Sequence, residues 1–150
     1  MRTIDKIIVH CTAGSQKNTA ADVVRLHTMP KSRGGNGWKV AGYHYIIEAS
    51  GKIVSTVPDA QVSNGCYGQN QHSINVCYIG GVDMTTRGLP PLDNRTPEQK
   101  SSLRKLLVLL RQKFPNAKIM GHRSIWGEDT PSKWKKSCPC FNAIAEYADI

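Results

Sequence analysis

The sequence predicts an α/β fold: a single domain spanning residues 1–150, with a central mixed β-sheet flanked by helices and a site at the strand ends. Three observations predict it. Apolar stretches of strand length recur along the chain. Two segments with helical spacing fall between distant strands, as in a sheet covered on its faces. No internal repeat, low-complexity tract or composition shift divides the 150 residues. A chain of that length buries roughly two-thirds of the surface it exposes when unfolded, so a core can form without disulfides.

The first strand is Lys6 to Cys11. Its β-branched run Ile7-Ile8-Val9 suits a central strand buried on both faces, and His10 falls near its C-terminal end. Thr19 to Met29 reads as a helix, with Val23, Leu26 and His27 at helical spacing and Pro30 as its stop. Lys31 to Lys39 is a loop rich in glycine and charge. Tyr43 to Glu48 and Lys52 to Val57 form a hairpin about Ala49-Ser50-Gly51. Ser73 to Ile79 is a further strand, ending in Gly80-Gly81. Thr96 opens the clearest helix: it offers an N-cap hydroxyl, Pro97 suits the first helical position, and Gln99 completes a T-x-x-Q capping box. Leu103, Leu106, Leu107 and Leu110 then form an apolar stripe, and Pro115-Asn116 ends the helix. Lys118 to His122 is a short strand with a second histidine at its end. The tail from Phe141 to Tyr147 carries Phe141, Ile144 and Ala145 at helical spacing.

The net charge is +9, which favours polyanionic partners such as nucleic acid, anionic lipid or acidic cell-wall polymer without choosing among them. Aromatic residues make up 7%, and no nucleic-acid-binding motif is present, so specific nucleic-acid recognition is not expected. No apolar run approaches the ~20 residues of a membrane span, which argues against membrane insertion. The run Ile7-Ile8-Val9 stops at His10, too short for the apolar region of a secretory signal. The five cysteines are Cys11, Cys66, Cys77, Cys138 and Cys140. An odd number without an export signal points to a reducing compartment and free thiols. Cys11 and Cys77 read as small core residues. Cys138-Pro139-Cys140 lies in a polar, lysine-rich segment where a hydrophobic role is less natural.

In open sheets of this kind, sites gather at strand ends, so His10 and His122 merit reading as a pair. Zinc accepts imidazole nitrogen and thiolate sulfur, and a catalytic site keeps three protein ligands with a fourth position open. His10, His122 and Cys138 meet that count. The alternative is two hydrogen-bonded histidines and one free thiol. His27 and His72 read as surface or structural. His44 follows Tyr43 in a strand, so the two are expected on opposite faces. His44 then reads as a buried, hydrogen-bonded residue, with support of a ligand as the alternative.

Five motifs occur in order: Val9-His10-Cys11-Thr12-Ala13, Gly42-Tyr43-His44-Tyr45-Ile46-Ile47, Ser73-Ile74-Asn75-Val76-Cys77, Gly121-His122-Arg123 and Lys136-Ser137-Cys138-Pro139. Together, from about Ile4 to Asn142, they resemble the type-2 N-acetylmuramoyl-L-alanine amidases, a family that includes short phage lysozymes and the peptidoglycan-recognition proteins. The resemblance implies one Zn2+ on His10, His122 and Cys138, with Tyr43 and Lys136 as catalytic residues. It implies a zinc groove at the strand ends. The implied substrate is peptidoglycan, or muropeptides derived from it, cut between N-acetylmuramic acid and L-alanine. A monomeric lysis enzyme of phage or prophage type fits best, made without a signal peptide and reaching the wall after lysis or by a separate export route. The alternatives are a cytoplasmic muropeptide-recycling amidase and a non-catalytic peptidoglycan-binding module. Non-catalytic members lack the cysteine ligand, which Cys138 supplies here.

The sequence departs from the family pattern in three places. The segment between His122 and Cys138, with Trp126, Glu128, Asp129, Pro131 and Trp134, is longer than in the short phage enzymes. It is expected to form a lip on the groove or to pack on the surface. Cys140 offers a second thiol; Cys138 is preferred because Lys-x precedes it and Pro follows it. Asn75 stands where the family usually carries glycine, and is expected to alter the groove wall rather than the zinc set.

Overall fold

The computed structural model describes residues 2–150. Five strands form one mixed sheet: β1 (Lys6–Cys11), β2 (Tyr45–Ile47), β3 (Ile53–Ser55), β4 (Ser73–Tyr78) and β5 (Lys118–Gly121). Their spatial order is β3-β2-β4-β1-β5. β1 pairs in parallel with β4 on one side and β5 on the other, and β2 pairs in parallel with β4. Only the β2–β3 hairpin is antiparallel. This is the mixed sheet with flanking helices that the sequence predicts, and Ile7, Ile8 and Val9 are fully buried in its centre.

Helices α1 (Ala20–Thr28), α2 (Pro97–Lys113) and the short α3 (Ala143–Glu146) complete the fold. Both long helices start at a capping box. Thr19 Oγ1 accepts from the Asp22 amide while the Asp22 carboxylate accepts from the Thr19 amide, and Thr96 and Gln99 repeat the exchange. Thr19 is therefore a cap rather than the first helical residue. Gln99 does more than cap. Its buried Nε2 donates to the carbonyls of Ile47 and Ile79, fastening the start of α2 to the C-terminal ends of β2 and β4.

Pleating sorts the core into two layers. On one face, Ile7, Val9, Ile74, Val76 and Tyr78 meet the leucine stripe of α2, with Phe114, Phe141 and Tyr147 closing the edge. On the other face, Ala20 and Val23 of α1 cover Ile46 and Ile79. Two expected core positions face solvent instead: Leu26 and Ile144 are exposed. The buried face of α1 runs through Ala20, Val23 and His27, and the tail packs through Phe141, Ala143 and Tyr147. Periodicity locates a helix better than it fixes which of two adjacent positions points inward. No helix among the described residues is long and apolar enough to cross a membrane.

The two faces of α2 contribute unequally. Leu107 is fully buried, whereas its neighbour Leu109 is largely exposed. Leu107→Ala is expected to cost about 2–5 kcal/mol. Leu109→Ala should stay within about 0.5 kcal/mol. Urea denaturation midpoints check the contrast.

Candidate functional site

The parallel strands β1, β2, β4 and β5 end on one edge of the sheet, and the site lies there. The register places Val9 opposite Gly121, so His10 and His122 emerge side by side. Their rings meet edge to face with centroids 4.8 Å apart. Cys138 Sγ lies 3.9 Å from His10 Nδ1. All three residues are buried, and one ligand-type atom from each lies within 4.8 Å of the others. The sequence-predicted trio therefore forms a compact cluster able to hold a metal ion.

The cysteine reaches this position because its loop is pinned on several sides. Cys138 accepts from the backbone amide of Cys11 at its sulfur (3.2 Å) and from that of Arg123 at its carbonyl (2.8 Å). Tyr78 Oη donates to the Pro139 carbonyl at 2.6 Å. Gly121 supplies the room, since a Cβ there would lie 2.6 Å from Pro139 Cδ. Cys140 takes a different direction: its thiol donates to the Gly81 carbonyl and lies 3.9 Å from Cys11 Sγ. Cys138, not Cys140, joins the histidines.

Above the cluster opens a cleft of about 430 Å³, lined among others by Trp38, His27, Tyr43, His122, Lys136 and Cys138. Its rings form a continuous row. Trp38 packs on His27 (4.9 Å between centroids), His27 on Tyr43 (5.3 Å), and Tyr43 on His10 (5.1 Å). Beyond His10 stands His122, with Trp126 stacked on it at 5.2 Å. Tyr43 and Lys136 thus both line the cleft.

Burial sets the protonation of the site. Desolvation, then the adjacent His122, hold His10 down to about 3, with the Lys136 charge adding to both. Desolvation and then Lys136 hold His122 down to about 4. Both imidazoles are therefore neutral near pH 7, the state in which a ring nitrogen can bind a metal. Desolvation first, and then the thiols around it, push the Tyr43 phenol well above its ordinary range, so it keeps its proton. Hydrogen bonding with Cys138 pushes Cys11 up to about 12, which makes it a neutral thiol beside the cluster.

Three expectations are resolved here. For the segment between His122 and Cys138, of the two readings, a groove lip or surface packing, the structure shows packing. The Arg123–Glu128 ion pair (2.7 Å), Arg123 over the Trp134 ring (4.1 Å) and Trp134 Nε1–H on the Gly127 carbonyl (2.7 Å) fold it on itself. Trp126 stacks on His122, and of this segment Lys136 and Ser137 are among the cleft lining. Second, Asn75 is not part of the groove wall: it is fully buried, and its Oδ1 lies 2.8 Å from His10 Nε2. Third, of the two readings of His27, surface or structural, the structural one holds: it is buried, lines the cleft, and accepts from the Gly42 amide at Nδ1 at 2.9 Å. Its place on the Val23 stripe was the available signal. His44 is buried and hydrogen-bonded as expected, and it also accepts from the Asn75 amide at 3.0 Å. It precedes β2, so strand alternation does not separate it from Tyr43's surroundings. No sequence signal linked it to His10.

The comparisons with known proteins agree with this geometry. A family model described as N-acetylmuramoyl-L-alanine amidase matches residues 1–141. The endolysin of Escherichia phage T7 is 33% identical over 139 residues, covering 92% of this chain and 82% of its own. The structure of N-acetylmuramoyl-L-alanine amidase LysC from Clostridium intestinale superposes with a TM-score of 0.70 over 97% of this chain and 83% of its own, at 22% identity. Drosophila PGRP-LB does so with a TM-score of 0.69 over 99% and 81%, at 17% identity. The two structural likenesses bear on the fold.

The buried histidines carry a pH consequence. His10, His27, His44 and His122 are all lowered by desolvation. The unfolded chain then binds more protons than the folded one below its histidine range of ~6.5, so stability falls with falling pH. In chelator, the denaturation midpoint should hold above pH ~6.5 and drop steadily toward pH 4. A midpoint that rose on acidification would contradict the burial of these rings.

Proposed function

This chain belongs to the N-acetylmuramoyl-L-alanine amidase family, and from that premise we propose that it hydrolyses the amide between N-acetylmuramic acid and L-alanine in peptidoglycan, as a zinc-dependent lysis enzyme of phage type. The observation that carries the reading is the buried trio His10, His122 and Cys138 beside a cleft lined by His122, Cys138, Tyr43 and Lys136. The endolysin relatives support the lytic role.

The donor set fits zinc. Two neutral imidazoles and a thiolate are ligands of the hardness zinc prefers, and the cleft leaves one side of the trio open, as a catalytic site requires. His10, His122 and Cys138 would hold it, and it would supply Lewis acidity, polarising an amide carbonyl and acidifying water. The protein's own groups then have separable tasks. The cleft would admit the stem peptide, with the rings of Trp38, His27, Tyr43 and His122 among its lining. Tyr43 retains its phenolic proton, so Oη acts as a hydrogen-bond donor that orients the attacking water or the carbonyl. Lys136, exposed on the cleft rim, would serve as the donor to the negative charge that develops on the carbonyl oxygen. Such a donor is worth about 3–4 kcal/mol in comparable sites. The +9 net charge draws the enzyme to an anionic wall once it is released to reach it.

Mass spectrometry of purified peptidoglycan digested with and without a zinc chelator tests the reaction. Stem peptides with a free L-alanine amine, released only without chelator, are the expected product. Intact glycan-linked peptides despite bound zinc would leave the chain a binding module. Within the site, Cys138→Ser should abolish zinc uptake in equilibrium dialysis, whereas Cys140→Ser should keep it; the reverse result reassigns the ligand. Lys136→Ala should retain zinc and lose ~10²–10³-fold in kcat. Unchanged turnover in that variant would remove Lys136 from the chemistry.

A further inference from the structure

We infer that Asn75 is a positioning residue that fixes the tautomer of His10, holding the proton on Nε2 so that Nδ1 turns a lone pair toward His122 and Cys138. The inference deepens the metal reading above and rests on it. A histidine can bind a metal through one ring nitrogen only when the proton sits on the other, and that choice is set by what the other nitrogen meets.

His10 Nε2 meets one group, Asn75 Oδ1, at 2.8 Å in the buried interior. The question is which end of the Asn75 amide faces it, and the surroundings permit one answer. The backbone amide of Cys66 donates to Asn70 Oδ1 at 2.8 Å, which fixes that atom as an oxygen. Asn70 Oδ1 in turn lies 3.2 Å from the Asn75 amide group, so the atom of Asn75 facing it must be the nitrogen. A second chain of contacts reaches the same result. The Asn75 backbone amide donates to His44 Nδ1 at 3.0 Å, so that nitrogen is unprotonated and the ring proton sits on Nε2. Nε2 donates to the Gln61 carbonyl at 2.8 Å, with Arg2 Nη2 3.2 Å away. Ser63 Oγ, 3.3 Å from His44 Nδ1, turns its proton there and offers a lone pair to Asn75 Nδ2 at 2.8 Å. Two backbone groups, the Cys66 N–H and the Asn75 N–H, thus orient the Asn75 side chain. Oδ1 is left facing His10, and His10 must donate from Nε2.

The fold makes room for this relay. A Cβ on Gly65 would lie 2.7 Å from Asn75 Cγ and 2.6 Å from the Gly42 carbonyl oxygen. The loop that carries Ser63, Cys66 and Asn70 closes on Asn75 because residue 65 has no side chain. Asn75 and His10 share a sheet face because β1 and β4 run parallel with Ile8 opposite Asn75, and His10, two residues on from Ile8, lies on the same side of the pleat toward the strand ends.

The test reads the ring directly. Nitrogen-15 NMR of the full chain, in chelator at pH 7.5, reports the tautomer of each histidine; competition with a chromophoric chelator reports zinc affinity. The wild-type chain should show His10 as the Nε2–H form. Asn75→Ala should give a mixture of tautomers and weaken zinc binding about 10–100-fold. Asn75→Asp, which keeps an acceptor oxygen toward Nε2 but loses the donor that faces Asn70 Oδ1 and Ser63 Oγ, should return His10 to the Nε2–H form, while His44, held by the Asn75 backbone amide, keeps its Nε2–H form throughout. Asn75→Ala with a pure Nε2–H His10 and wild-type zinc affinity overturns the inference. So does a changed tautomer with unchanged affinity, since the orientation would then not serve the metal. If the wild-type chain takes up no zinc, the metal reading fails, and the tautomer of His10 in Asn75→Ala still decides whether Asn75 orients the ring.

Discussion

The parallel pairing of β1 on both of its edges is the constraint on which the rest of the structure depends. A strand hydrogen-bonded to β4 and β5 and covered on both faces has no place for polar side chains along its length, and Ile7, Ile8 and Val9 are accordingly fully buried. Polar function is confined to its C-terminal end. The same pairing fixes what meets there. Val9 opposite Gly121 delivers His10 beside His122, and a slip of one residue would turn His10 toward the leucine face of α2. Register is held by that apolar layer, so the hydrophobic core of α2 and the geometry of the buried trio are one problem rather than two.

Burying three ligand-type side chains and their supports is costly unless each polar atom has a partner. The chain meets that requirement by drawing in backbone from loops distant in sequence: Cys11 N–H for the Cys138 sulfur, the Gly42 N–H for His27, and the Gln61 carbonyl for His44. Each such bond also fixes an orientation. The supporting shell is thus built mostly from main chain, which cannot rotate away, and it reaches the ligands through few side chains. Glycines at 65 and 121 let those main-chain segments approach closely enough.

The strands, the two long helices and the trio were legible in the sequence because each rests on a local signal: a β-branched run, a capping box, a histidine at a strand end, a motif of neighbouring residues. Leu26 and Ile144 misread because helical spacing gives a face to within about one position, and the neighbouring layer decides the rest. The segment after His122 keeps two readings in the sequence for a different reason. Its Trp, Glu and Pro residues suit a groove lip, but Arg123 pairs with Glu128 and stacks on Trp134, and that closure turns the aromatic surface inward onto His122. Asn75 and His27 were missed because their roles depend on what faces them across the fold. An asparagine inside a strand carries no mark of whether its amide meets solvent, a wall or a ligand.

The electrostatics of the cleft follow from the same burial. Two imidazoles in edge contact cannot both take a proton in a dry interior beside Lys136, so the site stays neutral at the nitrogens over the range in which a divalent ion competes with protons. An apo protein organised this way holds stability in reserve: desolvated histidines weaken the fold as protons are added, whereas an ion that binds only the folded arrangement strengthens it. Lys136 sharpens the division of labour. Its charge opposes protonation of both rings, yet the lysine itself is exposed on the solvent side of the cleft. Neutral imidazoles beneath and an exposed lysine at the rim set the two sides of the cleft apart, and the contrast traces back to the strand end where β1 runs out of apolar neighbours.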